Sequence, residues 1–516
     1  MASAEALSRM ARERLVGISS PKPIGGGWGA FLPTPLGGQL RYFGLGLPIR
    51  SSPGGHLHAE QTGKPGGIGT PIELKSLNLP PRDRVMVWFF SKNLIINGKS
   101  DTKLGLSMKR NDLSHTIRET LKRLPPPYDS HYGIVPPAPP EGGVSVAGAA
   151  RALDAAQAAF GKVDAIAAQM KDPYIVSRVL TRREAVSSSS IEGTQSTLDE
   201  LLSVEETGAD GARDEARQVR NYAVALDGFI PLAAKGGYGV FTMDLIRDLH
   251  RAVMKDDPDY KDVPGELRTR VVWIGGNKDI AYSSLNPPPP DDVPVCLAQT
   301  VDFLRNEGMQ QMTQGFIMRL AIAHTHFEAV HPFRDGNGRV GRLLLPLMMA
   351  AEKHVPLYLS PYIESKKGTY YASLKDAQQR LDWQPIITFM AEAVTGTVDE
   401  LIRTREALSE LSDVWRQRRK FRKGSAAERA LSELHNYPVV TAKRLGERLD
   451  ISSPQVHQAI AQLEEAGILK ERTGYSRNRV YVAAEALGII NRPFGEEPLL
   501  PDQVGLDEEP IGPGGP

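Results

Sequence analysis

The chain has almost no cysteine, no surplus of charge of either sign and no long apolar run, and each shortage excludes something. Cys296 is the single cysteine, so neither an intramolecular disulfide nor a thiolate metal cluster can form. Lys plus Arg number 62 and Asp plus Glu 61, so the overall charge selects neither nucleic acid nor membrane as a partner. No apolar run reaches the roughly 18 residues that a membrane-crossing helix needs. The basic N-terminus leads into no apolar segment with a small-residue cleavage site. A cytoplasmic protein with no membrane partner is the expectation.

What the chain does have is length. Its 516 residues exceed one hydrophobic core, and 41% of them are hydrophobic, enough to build several. Residues 1–123 read as an unassigned Gly/Pro-rich extension or small domain, in which VMVWFF at 85–90 has the character of a buried strand. LPPPYDSHYGIVPPAPPEGG marks a Pro-rich linker over 124–143. Helical periodicity then runs through 144–210 and a core at 211–400. Its one interruption is at 265–285, where RTRVVWIGG (268–276) reads as a short strand turning at Gly275 and Gly276, with IAYSSL (280–285) as partner. A basic connector at 401–430, helical over 401–423, leads to a compact domain at 431–490. The last segment, 491–516, is acidic and Pro-rich, and is expected to be disordered.

The densest chemistry lies in HTHFEAVHPFRDGNGRVGRLLLPLMM at 324–349. Pro332 would damage a helix interior, so 331–337 reads as a loop between two buried helices. Gly336, Asn337 and Gly338 open the second helix with residues that tolerate left-handed backbone, and its free amides favour an anion. Arg339 and Arg342 add planar donors suited to phosphoryl oxygens. Asp335 beside such a cradle calls for a cation, and Mg²⁺ takes both carboxylate and phosphate oxygens. His331 can accept a proton from an attacking hydroxyl. Taken alone, each has a plainer reading: a satisfied buried histidine, an ordinary Gly-Asn-Gly turn. His324 and His326 with His331 also leave a transition-metal cluster open. The concentration of all these groups within twelve residues favours a nucleotide site.

The segment 331–342, HPFRDGNGRVGR, resembles the motif of the Fic family, and the likeness extends over roughly 145–400 through PGELRTRVVWIGG, the prolines at 287–290 and LYLSPYIESKKGTYYASL at 357–374. The resemblance implies a mainly α fold, a helical core with a small β-hairpin flap, and transfer of AMP from ATP to a Tyr, Thr or Ser hydroxyl of a protein. By it, His331 is the base, Asp335 holds Mg²⁺, the 336–338 amides hold phosphates, Arg342 reaches the γ-phosphate and Arg339 assists. Val271, Val272, Trp273 and Ile274 would form the flap that positions an extended target. SSSIEG at 188–193 resembles the family's inhibitory pattern, with Ser188, Glu192 and Gly193 placed to restrain Arg342. The target protein is not named by the sequence; self-modification, a homodimer and removal of AMP stand as alternatives.

Residues 431–490 resemble a winged helix-turn-helix domain. Leu445 and Leu449 form one apolar stripe, Val456, Ile460 and Leu463 a second, with Gly467 ending the second helix. Gln455, His457, Gln458, Arg477 and Arg479 are candidates for DNA contact, but Glu464 and Glu465 dilute the basic face. A DNA-binding regulator with a nucleotide-sensing core is the rival reading.

Overall fold

The computed structural model describes residues 108–169, 178–208, 212–276, 278–306, 314–474 and 478–501, with two short strands before them. The chain divides into a unit at 1–90 and a unit at 91–516. In the first, β1 (Arg41–Phe43) and β2 (Leu47–Ile49) pair antiparallel. The stretch 85–90 lies outside the described residues.

The second unit is predominantly α-helical. It opens with α1 (His115–Glu119), capped by Ser114, and an antiparallel hairpin of β3 (Leu121–Arg123) and β4 (Tyr132–Ile134). The linker expected at 124–143 is thus partly ordered structure. Leu124 and Ile134 give it apolar anchors that a solvated linker lacks. Leu113, Ile117 and Ile134 close over Leu285, and Ile134 N–H donates to the Asn286 carbonyl at 2.9 Å.

The helices follow as α2 (Ala150–Ala168), α3 (Arg178–Ile191), α4 (Leu198–Thr207), α5 (Asp214–Gly236), α6 (Met243–Val253) and α7 (Val293–Leu304). Next come α8 (Phe316–Val330) and α9 (Asn337–Ala351), the centre of the core. Every residue of α8 is buried, its polar Arg319, His324, His326 and Glu328 included. Helices α10 (Ser360–Ser365) and α11 (Lys367–Arg380) lead into α12 (Gln384–Arg418). The connector helix expected from 401 is the second half of this single 35-residue helix. Its first half buries Ile386, Met390 and Val394 in the main core, and its second half buries Leu411 and Trp415 in another.

That second core belongs to the C-terminal domain: α13 (Ala426–Glu433), β5 (Val439–Thr441), α14 (Ala442–Leu449), α15 (Ser453–Glu465), β6 (Lys470–Glu471), β7 (Val480–Val482) and α16 (Ala484–Asn491). The sheet order is β5-β7-β6, all antiparallel, and α14–α15 with this sheet make a winged helix. The tail expected to be disordered from 491 differs over its first residues. Arg492 is buried against Glu400 at 3.1 Å, which fixes the chain as it leaves α16.

The region 265–285 departs from the expected two-stranded unit. One bridge joins Ile274 to Leu285, and 280–282 is a 3-10 turn. The Asp279 side chain accepts the Ala281 N–H at 2.9 Å, diverting the backbone from strand pairing. Because Ile134 covers Leu285, Ile134→Ala should lower the unfolding free energy by about 2–4 kcal/mol. It should also raise amide exchange at Ile274 and Ser284; unchanged exchange there would show that the hairpin does not support this segment.

Candidate active site

The site is built where α8 ends and α9 begins. His331 takes the left-handed conformation (φ 49°, ψ 62°), stopping α8 one residue before Pro332. The loop is closed by one side chain. Asn337 accepts the Phe333 N–H and donates to the Phe333 carbonyl, both at 2.8 Å. Its amide group is therefore a structural clasp, and only its backbone remains for a ligand. Gly336 (φ 78°) has no room for a Cβ, which would lie 2.7 Å from Met254 Sδ. Val340 N–H is bonded to the Gly336 carbonyl at 3.0 Å, so the amides of 337–339 form the open N-terminal turn of α9.

A carboxylate occupies that turn. Glu192, just past the end of α3, donates no proton but accepts from Arg342 Nη2 at 2.6 Å. Its Oε1 lies 2.1 Å from where a Cβ on Gly338 would stand. Arg342 is almost wholly buried and also donates to Ser188 Oγ and to the Ser188 carbonyl, each at 2.9 Å. Burial opposes ionisation of Glu192, but Arg342 outweighs it and holds the carboxyl below the ordinary carboxylate range. Burial likewise opposes the charge on Arg342, and Glu192 leads the groups that keep it protonated. Gly193 (φ 95°) turns the chain directly after Glu192. Ser188, Glu192, Gly193, Gly338 and Arg342, separated by some 150 residues of sequence, are thus brought together.

Arg339 is also buried. Its Nη2 reaches Met254 Sδ at 3.1 Å, while Nε and Nη1 have no hydrogen-bond partner among the described residues. A buried guanidinium with two donor atoms left unpaired fits an anionic ligand. Asp335 is exposed, and its Oδ1 accepts the Gly336 N–H at 2.6 Å, leaving the other oxygen for a cation. Burial, aided by the Arg268 guanidinium, pulls the His331 imidazole down to about 4, so it is neutral near pH 7 and able to accept a proton.

Two residues outside the motif hold the loop. Arg268 donates to the carbonyls of His331 (2.8 Å) and Pro288 (2.7 Å). His250 of α6 was not singled out by sequence reasoning. Its Nδ1 accepts the Gly265 N–H at 2.7 Å, so Nε2 carries the proton and donates to the Asp335 carbonyl at 3.0 Å. The ring stacks on Phe333 at 3.8 Å, and burial lowers it to about 4. A lone histidine in an amphipathic helix carries no local signal of such a role. Glu328 was missed for the same reason: it is buried beside Gly341, and burial raises its carboxyl to about 7.

His324 and His326 do not join His331. His324 donates to the Gly341 carbonyl at 3.1 Å and accepts from Tyr370 at 2.7 Å, while His326 pairs with Thr300 at 2.8 Å. Among the described residues no three His, Cys, Asp or Glu side chains gather as a metal site. Val271, Val272, Trp273 and Ile274 are half-buried, and Trp273 packs on Tyr128 with ring centroids 5.4 Å apart. The Ile274 N–H donates to Leu285, whereas the backbone of Val271–Trp273 makes no hydrogen bond to another described residue.

Comparison with known proteins accords with this geometry. Residues 150–228 match the Fic/DOC family N-terminal model, 240–349 the Fic/DOC family, and 428–470 the winged helix-turn-helix DNA-binding family. The chain is 34% identical over 161 residues to protein adenylyltransferase fic-1 of Caenorhabditis briggsae, covering 31% of this chain and 29% of that protein. It is also 34% identical over 151 residues to a probable protein adenylyltransferase of Aquifex aeolicus, covering 26% and 46%. The chain thus spans less than half the length of these curated relatives. Among solved structures, a Fic family protein from Desulfovibrio desulfuricans G20 aligns at 22% identity and a TM-score of 0.40, over 64% of this chain and 95% of that one. The loop lies inside the segment that matches the Fic/DOC family, and Glu192 inside the segment that matches its N-terminal model, so this chain carries a Fic/DOC region followed by a C-terminal winged-helix region.

Proposed function

We propose that this chain transfers AMP from ATP to a protein hydroxyl, and that Glu192 restrains the reaction. The observation that carries the reading is the buried Arg339, two of its donor atoms unpaired, beside a helix N-terminus whose anion position is filled by Glu192. Such a turn takes phosphate oxygens through its amides and its dipole. Similarity to adenylyltransferases supplies the reaction class.

The 337–339 amides and Arg339 would bind the phosphates, and Arg342, freed from Glu192, the terminal one. Neutral His331 takes the proton of the target hydroxyl as its oxygen bonds to the α-phosphorus. The bond between that phosphorus and the bridging oxygen breaks, and pyrophosphate leaves with the electron pair. Asp335 would hold Mg²⁺, which neutralises phosphate charge when bound. The unpaired backbone of Val271–Trp273 suits an extended target segment added as a strand.

A second reading rests on the winged helix, whose α15 leaves His457 and Gln458 exposed. Gln455 spends its Oε1 on capping Ser452, accepting its N–H at 3.0 Å. Arg477 lies outside the described residues.

Glu192→Gly should raise incorporation of label from α-phosphate-labelled ATP by tenfold or more, on the order of the coupling between linked sites. In an Arg342→Ala background the same change should activate far less, and His331→Ala should abolish transfer while ATP still binds. Equal activation in both backgrounds would remove Arg342 from the restraint. His250→Phe keeps the stack on Phe333 but loses both hydrogen bonds. It should lower kcat roughly 10–100-fold with little change in ATP affinity; a matched loss of ATP affinity would make its role merely structural. If the winged helix reads DNA, anisotropy with duplex fragments at stated salt should show selective binding that His457→Ala and Gln458→Ala weaken. Salt-sensitive binding without sequence preference would count against it.

A further inference from the structure

We propose that the winged-helix domain is the clamp that sets the position of Glu192, gripping α3 and α4 with the outer face of its sheet. This rests on the reading of Glu192 as the restraint on Arg342.

The sheet buries both faces, against different partners. Val440 and Tyr481 point into the domain's own core with Leu445 and Leu463. Val439, Val480 and Val482, which alternate with them, pack on Val179 of α3 and on Leu198 and Leu202 of α4. A wing sheet that served only its own domain would carry polar residues on that second face.

Polar contacts rim this apolar seam. Glu206 of α4 pairs with Arg448 of α14 and accepts the Thr441 N–H at 3.3 Å. Asp199 of α4 pairs with Arg472 beyond β6. The Tyr437 ring lies under two guanidinium groups, Arg448 at 3.7 Å and Arg178 of α3 at 4.6 Å. Arg183 of α3 donates to Glu400 at 3.1 Å and to the Arg492 carbonyl at 2.7 Å. Glu206, Arg183 and Glu400 are all buried, so these pairs are held in place rather than fluctuating in solvent.

The gripped segments flank Glu192 on both sides. Helix α3 ends at Ile191 and α4 begins at Leu198. The short join is itself braced: Gly193 N–H donates to the Ser190 carbonyl and Thr194 N–H to the Ser189 carbonyl, both at 3.0 Å. With both helices fixed from outside, this join has little slack, and the carboxylate stays on Arg342 while the sheet stays on α4. Any partner that shifts the sheet must change the occupancy of Arg342 by Glu192, and ATP must in turn change the hold of the sheet.

The test uses the full chain. Arg448→Glu should speed amide exchange over 186–194 at least about fivefold and raise AMP transfer by a similar factor, the lower end of measured site-to-site couplings. Pairing it with Glu206→Arg should restore both toward wild type. Should the buried reversal prevent folding, Arg472→Glu with and without Asp199→Arg decides the question on the more exposed rim. The clamp is overturned if exchange rises at 198–207 and 439–441, showing the seam open, while exchange over 186–194 and transfer stay at wild-type levels. Glu192→Gly in the same assay separates the two readings. An inactive Glu192→Gly would end the transferase reading, and the exchange measurement would still decide the clamp.

Discussion

A guanidinium buried as deeply as that of Arg342 must have an anion, because an unpaired charge in the interior costs far more than folding can spare. Much of the site follows from that need. The N-terminal turn of α9 brings Arg342 beneath its open amides, and Gly338 leaves space for whichever anion arrives. Here Glu192 and Ser188 supply the oxygens. A phosphate group would meet the same donors with the same sign of charge, so on the proposed reading internal carboxylate and external ligand would compete for one position. Helix α3 must then be held where its end meets α9, and Tyr222 and Ser360 help by hydrogen-bonding to Glu184 from outside the helix.

The loop from 331 to 342 was legible because its chemistry is contiguous. Pro332 announces a helix boundary, the glycines announce an open turn, and the arginines announce an anion. The Glu192 motif was legible through family likeness alone, since periodicity treats a glutamate at a helix end as ordinary. What could not be read were contacts between distant segments. His250 reaches across to the Asp335 carbonyl from 85 residues away, and no local pattern marks it. Asn337 does something that no local pattern marks: its backbone amide stays in the open turn while its side chain closes the loop.

The elements misread from sequence share one cause. Prolines over 124–143 suggested a linker, yet Leu124 and Ile134 bury and a hairpin forms against the segment at 285–286. Charge along 401–423 suggested a connector, yet Leu411 and Trp415 keep the apolar stripe of α12 running into the next core. Composition reports the average over a window, whereas a few anchoring side chains decide whether the window folds.

The continuous helix α12 also fixes the angular phase between the two halves of the second unit. Each residue of an α-helix advances the chain by about 100° and 1.5 Å. One residue inserted between Leu401, in the main core, and Ala407, in the other, would swing the winged helix by roughly that angle about the α12 axis. The valines of its sheet would then face away from α4. Seven residues would nearly restore the angle but displace the domain by about 10 Å along the axis, two turns out of register with α4. The length of this stretch is therefore as constrained as any side chain in the seam.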